Sequence, residues 1–244
     1  MHRIIVGMDA SRSAADALGW ATALARRVGA AVTALNTVEN PRGRVTPEVV
    51  EGLLVERRAA LADWIAQAGI DEGAVEPTLR VGDPREVLVS QADEDADLLV
   101  LGRSGAAGEP GFLHLGSVVE QAAHHGSTPL AVVPQGWTTP PERIVVGVDG
   151  SAESSAAIEW VRSLAALEPS VVAVQVVEPY LEWTPTVSPD NWRRDVESDI
   201  ESWCAPLSDA GISVIPVAQR ALLPASGILG VATAGAADLV VVGT

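Results

Sequence analysis

Short apolar runs and longer amphipathic stretches alternate along this chain. The β-branched run at 3–8 leads into residues 13–28, where apolar side chains recur at helical spacing. Through the first half, this alternation predicts strands at 3–8, 30–38, 75–81, 97–101 and 129–133, and helices at 13–28, 47–68, 84–94 and 117–125. Strands that alternate with helices are parallel and joined by right-handed crossovers. We therefore predict an open α/β sheet with helices on both faces.

The second half of the chain repeats the first. The sequence RIIVGMDAS at 3–11 returns as RIVVGVDGS at 143–151, and ADLLVLG at 96–102 returns as ADLVVVG at 237–243. We therefore predict two tandem parallel-sheet domains, 1–138 and 139–244, joined by a turn-rich linker. The second repeat stops after its fourth predicted strand, and we expect the natural protein to continue beyond Thr244 with a further helix and strand.

The charge balance narrows the classes of function. With 32 acidic and 16 basic side chains the formal net charge is −16, which disfavours nucleic acids and anionic membranes as partners. Every basic residue is Arg, so a Walker-type phosphate loop, which needs Lys, is excluded. Cys204 is the only cysteine, so neither an intrachain disulfide nor a CxxC metal site can form. Without an apolar run near the roughly 20 residues of a bilayer span, or a cleavable leader, we expect a cytoplasmic protein.

A glycine-rich loop follows the fourth predicted strand. Five glycines fall within 102–116, and a helix is predicted to begin directly after Gly116. Glycines permit a positive φ and close approach to an anion, and the free amides at a helix N-terminus bind phosphate. Asp9, after the first strand, is either a ligand-binding residue or a cap or turn former ahead of the first helix.

These features together resemble the universal stress protein family. The resemblance rests on Asp9 in VGMDAS, on GDP at 82–84, on the strand ADLLVLG and on the glycine loop, and it covers essentially the whole chain. It implies Rossmann-like domains with strand order 3-2-1-4-5, related by a pseudo-two-fold axis, and an ATP site in the first domain. ATP-binding members separate their second and third loop glycines by nine residues, whereas ten separate Gly105 from Gly116 here.

The resemblance also assigns residues to parts of the nucleotide. Asp9 would contact the adenosine, and the backbone near Val38 would line the adenine. The ribose and phosphates, assisted by Mg²⁺, would be held by Gly102, Gly105, Gly116, Ser117 and Val118. We interpret Ala10, in place of the Gly150 of the second repeat, as a minor change.

A nucleotide-responsive stress or signalling protein is therefore predicted, with an unidentified protein partner and an intrachain pseudo-dimer or a homodimer as its assembly. The alternative is a scaffold of the same fold that binds no nucleotide; the ten-residue spacing favours it, as do Leu222 and Leu223 where the first repeat has Gly82 and Asp83. Paired carboxylates and nucleophile–base pairs are lacking, so we predict no catalytic and no metal-binding side chains, and at most slow ATP hydrolysis.

The remaining notable side chains are assigned to packing or to loops. Cys204 is predicted to pack in an amphipathic helix, and His124 and His125 to stabilise a helix C-terminus. Trp183 and Trp192 are predicted in a long loop of the second repeat, available to a partner. Packing in the core or between a helix and the sheet is predicted for four repeat-equivalent tryptophans, Trp20, Trp64, Trp160 and Trp203.

Overall fold

The chain divides into two compact units, Met1–Pro140 and Pro141–Thr244. The computed structural model of the protein describes residues 1–39, 47–71, 73–105, 115–178 and 191–244. The first unit contains β1 (Arg3–Gly7), α1 (Arg12–Val28), β2 (Ala31–Val38), α2 (Pro47–Gln67), β3 (Glu76–Val81), α3 (Pro84–Asp95), β4 (Leu98–Gly102), α4 (Ser117–His125) and β5 (Leu130–Val133). The type and order of these elements confirm the prediction.

The second unit repeats this order as far as a fourth strand. It contains β6 (Arg143–Gly147), α5 (Ala152–Arg162), a 3-10 turn (Ala165–Leu167), β7 (Ser170–Val177), α6 (Trp192–Trp203), α7 (Ala205–Asp209), β8 (Val214–Arg220), α8 (Pro224–Ala234) and β9 (Leu239–Val241). Two short helices, α6 and α7, therefore occupy the part of the repeat that corresponds to the single helix α2.

Each unit is built on a parallel β-sheet. The strand orders are β3-β2-β1-β4-β5 and β8-β7-β6-β9, so the predicted order 3-2-1-4-5 is confirmed in the first unit. Ile5 pairs with Thr33 and Leu99, and its counterpart Val145 pairs with Val172 and Val240, so the repeats share one register. Chain order reverses between β1 and β4, and between β6 and β9, which is where ligands bind in such sheets.

The central strands of the first sheet, β1, β2 and β4, are largely buried on both faces. Ile4, Ile5 and Val6 are all inaccessible to solvent, which explains why β1 has no polar alternation. On one face α3 and α4 form an apolar cluster with the sheet through Leu88, Val119 and neighbouring side chains. The helix α1 packs on β1, β2, β4 and β5. This packing fixes the position of the carboxyl ends of β1 and β4 relative to the helices that begin beside them.

An aspartate clamps the start of the first strand in each repeat. Asp97 accepts hydrogen bonds from the backbone N–H groups of His2 and Arg3, and these bonds hold its pKa below the ordinary value. Asp238 accepts from Arg143 and Glu142; burial raises its pKa, but these hydrogen bonds outweigh burial and lower the pKa overall. The Ala-Asp-Leu sequence shared by both repeats therefore has a structural role.

These two clamps predict an acid-sensitive part of the stability. A carboxylate whose folded pKa lies below its unfolded value of about 3.9 stabilises the protein above that pH, and the contribution is lost as the pH falls through the folded pKa. We expect Asp97→Asn combined with Asp238→Asn to lower the urea midpoint more at pH 7 than at pH 3. The exposed Asp209→Asn is the control, and an equal loss at both pH values would contradict the prediction.

The packing predictions have mixed outcomes. Cys204 is buried, as predicted, but it lies between α6 and α7 and not within a helix; burial raises its pKa to about 11, so it is an unreactive packing residue. His124 and His125 lie in the last turn of α4, as predicted. Trp192 was predicted in a loop, which is wrong: it begins α6, and the guanidinium of Arg220 lies 4.1 Å from its ring centroid. Trp183 lies outside the described residues.

Candidate functional site

The turn after β1 brings Asp9 to the carboxyl edge of the sheet. Asp9 Oδ1 accepts a hydrogen bond from Ser11 N at 2.9 Å, and Ser11 Oγ accepts one from Ala14 N at 3.1 Å. Ser11 is thus the N-cap of α1, while Asp9 shapes the turn before it. In the second repeat Asp149 and Ser151 form the same arrangement, so the turn alone explains why both aspartates are present.

Gly102 and Gly105 are required by close packing. An ideal Cβ on Gly102 would lie 2.6 Å from the backbone carbon of Ser13 in the first turn of α1, and one on Gly105 would lie 2.9 Å from Asp9 Oδ2. Neither glycine has a positive φ, and Gly116 has a φ of −66°. The expectation that these glycines supply left-handed backbone is therefore wrong; their lack of a side chain lets the loop lie against α1 and Asp9.

The two described ends of the glycine loop meet at the N-terminus of α4. Gly116 is the N-cap of this helix, with no side-chain cap, and its N–H donates to the carbonyl of Arg103 at 3.0 Å. Gly105 N lies 3.7 Å from an ideal Cβ on Gly116. The amides of Ser117 and Val118 belong to the first turn, where N–H groups have no intrahelical acceptor. The central residues 106–114, which hold most of the ten-residue spacing, lie outside the described residues.

Val38 lies at the same edge of the sheet, on the neighbouring strand. It ends β2, is buried, and its carbonyl accepts a hydrogen bond from Gly82 N at 3.0 Å. Since Gly7 pairs with Leu35, β2 extends past the end of β1 and places Val38 beyond it. The structure thus gathers Asp9, Gly102, Gly105 and the start of α4 at the switch point, with Val38 on the adjoining strand.

The Gly-Asp-Pro sequence at 82–84 has a capping role. Asp83 is the N-cap of α3 and accepts a hydrogen bond from Arg85 N; the side-chain bond from Arg85, with this backbone bond, lowers the pKa of Asp83 to about 2. In the second repeat, Leu223 occupies the N-cap of α8 without a side-chain cap. The replacement of Asp83 by Leu223 therefore removes a helix cap, and it need not reflect a change at the ligand site.

Asn36 was missed in the sequence. This buried amide lies in β2 and donates from Nδ2 to the carbonyl of Met8 at 2.6 Å, which holds the peptide that precedes Asp9. Its Oδ1 is buried without a hydrogen-bond partner, as is Oε1 of Gln175, at the equivalent position of β7. An amide side chain at the same position of the second strand in both halves was the signal that could have revealed it.

The sequence profile of the universal stress protein family matches residues 1–134 and 141–244. The chain belongs to the universal stress protein family. It is a tandem member, since each repeat matches the profile separately, which confirms the resemblance predicted from the motifs.

Solved structures of universal stress proteins resemble this chain. A universal stress protein from Archaeoglobus fulgidus DSM 4304 is 18% identical, with a TM-score of 0.73, over 98% of this chain and 85% of that one, which supports the fold. The universal stress protein UspA from Lactobacillus plantarum is 26% identical over 54% of this chain and 97% of its own, with a TM-score of 0.45. A universal stress protein solved in complex with cAMP is 26% identical over 55% of this chain and 98% of its own, with a TM-score of 0.42.

The second universal stress protein repeat has a cleft at the corresponding edge of its sheet. The cleft has a volume of about 470 Å³ and lies between the ends of β6, β7 and β9 and the start of α8. Asp149 and Ser151 lie at this cleft, together with apolar side chains such as Val176 and Ile228. Within the parts of the chain that the structure describes, no helix is long and apolar enough to cross a membrane.

Proposed function

We propose that the first domain binds ATP and that the protein is a nucleotide-responsive stress or signalling protein of the cytoplasm. The supporting observation is the convergence of Asp9, Gly105 and the N-terminus of α4 at the switch point between β1 and β4. Ligands of open α/β sheets bind at this position. Because the chain has no Lys, the backbone amides at the start of α4 are the main anion-binding groups of the proposed site.

Each part of the nucleotide has its own contacts in this proposal. Asp9 contacts the adenosine, and the backbone at Val38 lines the adenine. The ribose and phosphates are held by Gly102, Gly105, Gly116, Ser117 and Val118. Mg²⁺ would be bound through the phosphates, since the described residues contain no group of three or more His, Cys, Asp or Glu side chains that could hold a metal ion.

A response to ATP follows from the position of the proposed site. A triphosphate that spans from Gly105 to Ser117 would fix the two described ends of the glycine loop against each other. The surface around α4 would then differ between the free and the ATP-bound protein, and a protein partner would recognise that difference. The proposal assigns no catalytic residue, so ATP hydrolysis would be slow. An intrachain pseudo-dimer or a homodimer remains part of the same proposal.

A second candidate function is a scaffold that binds no nucleotide. The second domain favours it, because Leu222 and Leu223 are well exposed at the edge of the sheet and the adjacent cleft is lined largely by apolar side chains. Exposed apolar surface of this kind is typical of contacts with other proteins.

Calorimetric titration of ATP with Mg²⁺ into the full chain tests the proposal. Wild type should bind one ATP, and Asp9→Ala should weaken binding by about 5- to 100-fold, the equivalent of about 1–3 kcal/mol for an unpaired buried polar group. Asp149→Ala is the matched control, since Asp149 forms the same turn in the second domain, and it should leave the affinity unchanged. Asp9→Asn retains an acceptor for Ser11 N and separates loss of charge from loss of the turn. No heat with wild type would favour the scaffold.

A further inference from the structure

A cavity of the first domain lies between α1 and α2. Its volume is about 580 Å³, within the usual range for small-molecule sites. The indole of Trp64 and the amide of Gln67 line it from α2, and Arg12 and Asp16 line it from α1. Small residues complete the lining, at Ala10, Ala15, Gly19 and Ala68. Among the described residues, only Asp9 is shared between this cavity and the proposed ATP site.

The equivalent positions Ala10 and Gly150 differ in their surroundings. Gly150 has a φ of +79°, and Trp203 lies so close that an ideal Cβ on Gly150 would be 2.7 Å from its ring. Ala10 has a Cβ and no left-handed φ, and Trp64 is the counterpart of Trp203 in the first repeat. Trp64 instead forms one wall of the open cavity.

The charges around the cavity favour a cation. Asp16 is buried, and its carboxylate accepts a hydrogen bond from Gly136 N at 2.8 Å and lies 3.6 Å from Arg12 Nε. The described lining contains two carboxylates, those of Asp9 and Asp16, and one guanidinium. The formal net charge of −16 attracts cations to the whole protein and repels anions. A cation of modest size is thus the ligand class that both the local and the overall charge favour.

The indole of Trp64 is a second feature that favours an organic cation as the ligand. The face of a tryptophan ring attracts organic cations within about 6 Å, and quaternary ammonium groups are typical ligands of such faces. The guanidinium of Arg57 lies 5.8 Å from the ring centroid of Trp64, and one guanidinium covers only one face of a ring. The cavity combines an indole with two carboxylates, and alanine and glycine lie around them. These small residues leave room for a methylated ammonium group.

We propose that the cavity between α1 and α2 is a binding site for a small organic cation, with an ammonium group on Trp64 and its charge opposite the carboxylates of Asp16 and Asp9. The methyl or methylene groups of the ligand pack against Ala15 and Ala68. Asp9 is common to this proposal and to the proposed ATP site, whereas Asp16 and Trp64 belong to this one alone. Because Thr138 lines the cavity and Asp16 holds Gly136, an occupant also touches the segment that leads into the second domain.

A titration with choline tests this site. The full chain, labelled with ¹⁵N and kept at low ionic strength without nucleotide, is titrated with choline and, separately, with its neutral isostere 3,3-dimethylbutan-1-ol. We expect saturable shifts at the Trp64 indole N–H and at the Ala15 amide, with no shift at Trp203, and at least tenfold weaker binding of the isostere. Equal binding of both compounds, or no saturable shift with choline, would overturn the proposal.

Variants locate the binding to the cavity. Trp64→Leu should abolish the saturable shift at Ala15, whereas Trp203→Leu should leave the choline affinity unchanged. Ala10→Gly preserves the folded helices and lets residue 10 adopt the conformation of Gly150, so that Trp64 can close over it; the affinity should then fall at least fivefold. Unchanged choline affinity in either Trp64→Leu or Ala10→Gly would contradict the assignment.

Discussion

Gly102→Ala is expected to lower the free energy of unfolding of the first domain by about 1–3 kcal/mol, the usual cost of forcing an extra carbon into a packed interior. An ideal Cβ there would lie 2.6 Å from the backbone carbon and the Oγ of Ser13. Backbone cannot rotate away as a flexible side chain can, so either β4 or the first turn of α1 must shift. The second repeat shows the same constraint, because a Cβ on Gly243 would overlap the backbone of Glu153.

Urea unfolding in the absence of nucleotide measures this effect. Gly52→Ala is the matched control: Gly52 lies within α2 with no neighbour near its ideal Cβ, so the same substitution should stabilise the protein by about 0.5–1 kcal/mol. Opposite signs for the two substitutions are the expected result. If Gly102→Ala left the free energy of unfolding unchanged without ATP, close packing would not explain why residue 102 is a glycine, and only contact with the ligand would.

The strands and helices could be predicted from the sequence because their patterns are local. β1 is a continuous apolar run and α1 has apolar residues at helical spacing, and both begin within one residue of their predicted positions. The repeat doubled this information, since each strand of the second sheet had a counterpart in the first. The strand order depended on the family resemblance, because periodicity does not specify which strands are neighbours.

The roles of the glycines could not be predicted from the loop sequence. A run of glycines indicates that side chains are excluded, but whether the cause is a positive φ or a close neighbour depends on tertiary packing. At Gly102 the neighbour is Ser13, and at Gly105 it is Asp9, both from a turn about 90 residues earlier in the chain.

The helix caps could be predicted from the sequence only in part. The sequence left open whether Asp9 binds a ligand or is a cap or turn former ahead of α1; hydrogen bonds assign the cap to Ser11 and the turn to Asp9. Asp83 was taken as part of a family motif, whereas it caps α3. These aspartates and serines are favoured by local backbone geometry whether or not a ligand binds, so their presence alone is weak support for a nucleotide site.

Gly105→Val should weaken ATP binding at least 100-fold in the same calorimetric titration. Gly105 lies between Asp9 and the N-terminus of α4: its ideal Cβ is 2.9 Å from Asp9 Oδ2, and its N–H lies 3.7 Å from an ideal Cβ on Gly116. A valine side chain would push the Asp9 carboxylate out of place and fill the space in which the proposed phosphates approach the amides of α4. A displaced Asp9 side chain can turn towards solvent, so the fold can accommodate the substitution. We therefore expect both effects to act on ATP binding.

Gly105→Ala separates steric hindrance from a general disturbance of the loop. Its single methyl group displaces Asp9 Oδ2 and adds no γ-methyl groups, so we expect an affinity between those of wild type and Gly105→Val. Urea unfolding of both variants without ATP should show a loss smaller than that of Gly102→Ala, because the nearest atom to the new Cβ belongs to a side chain and not to backbone. If Gly105→Val binds ATP as tightly as wild type, the nucleotide does not lie between Asp9 and α4, and the proposed site is wrong.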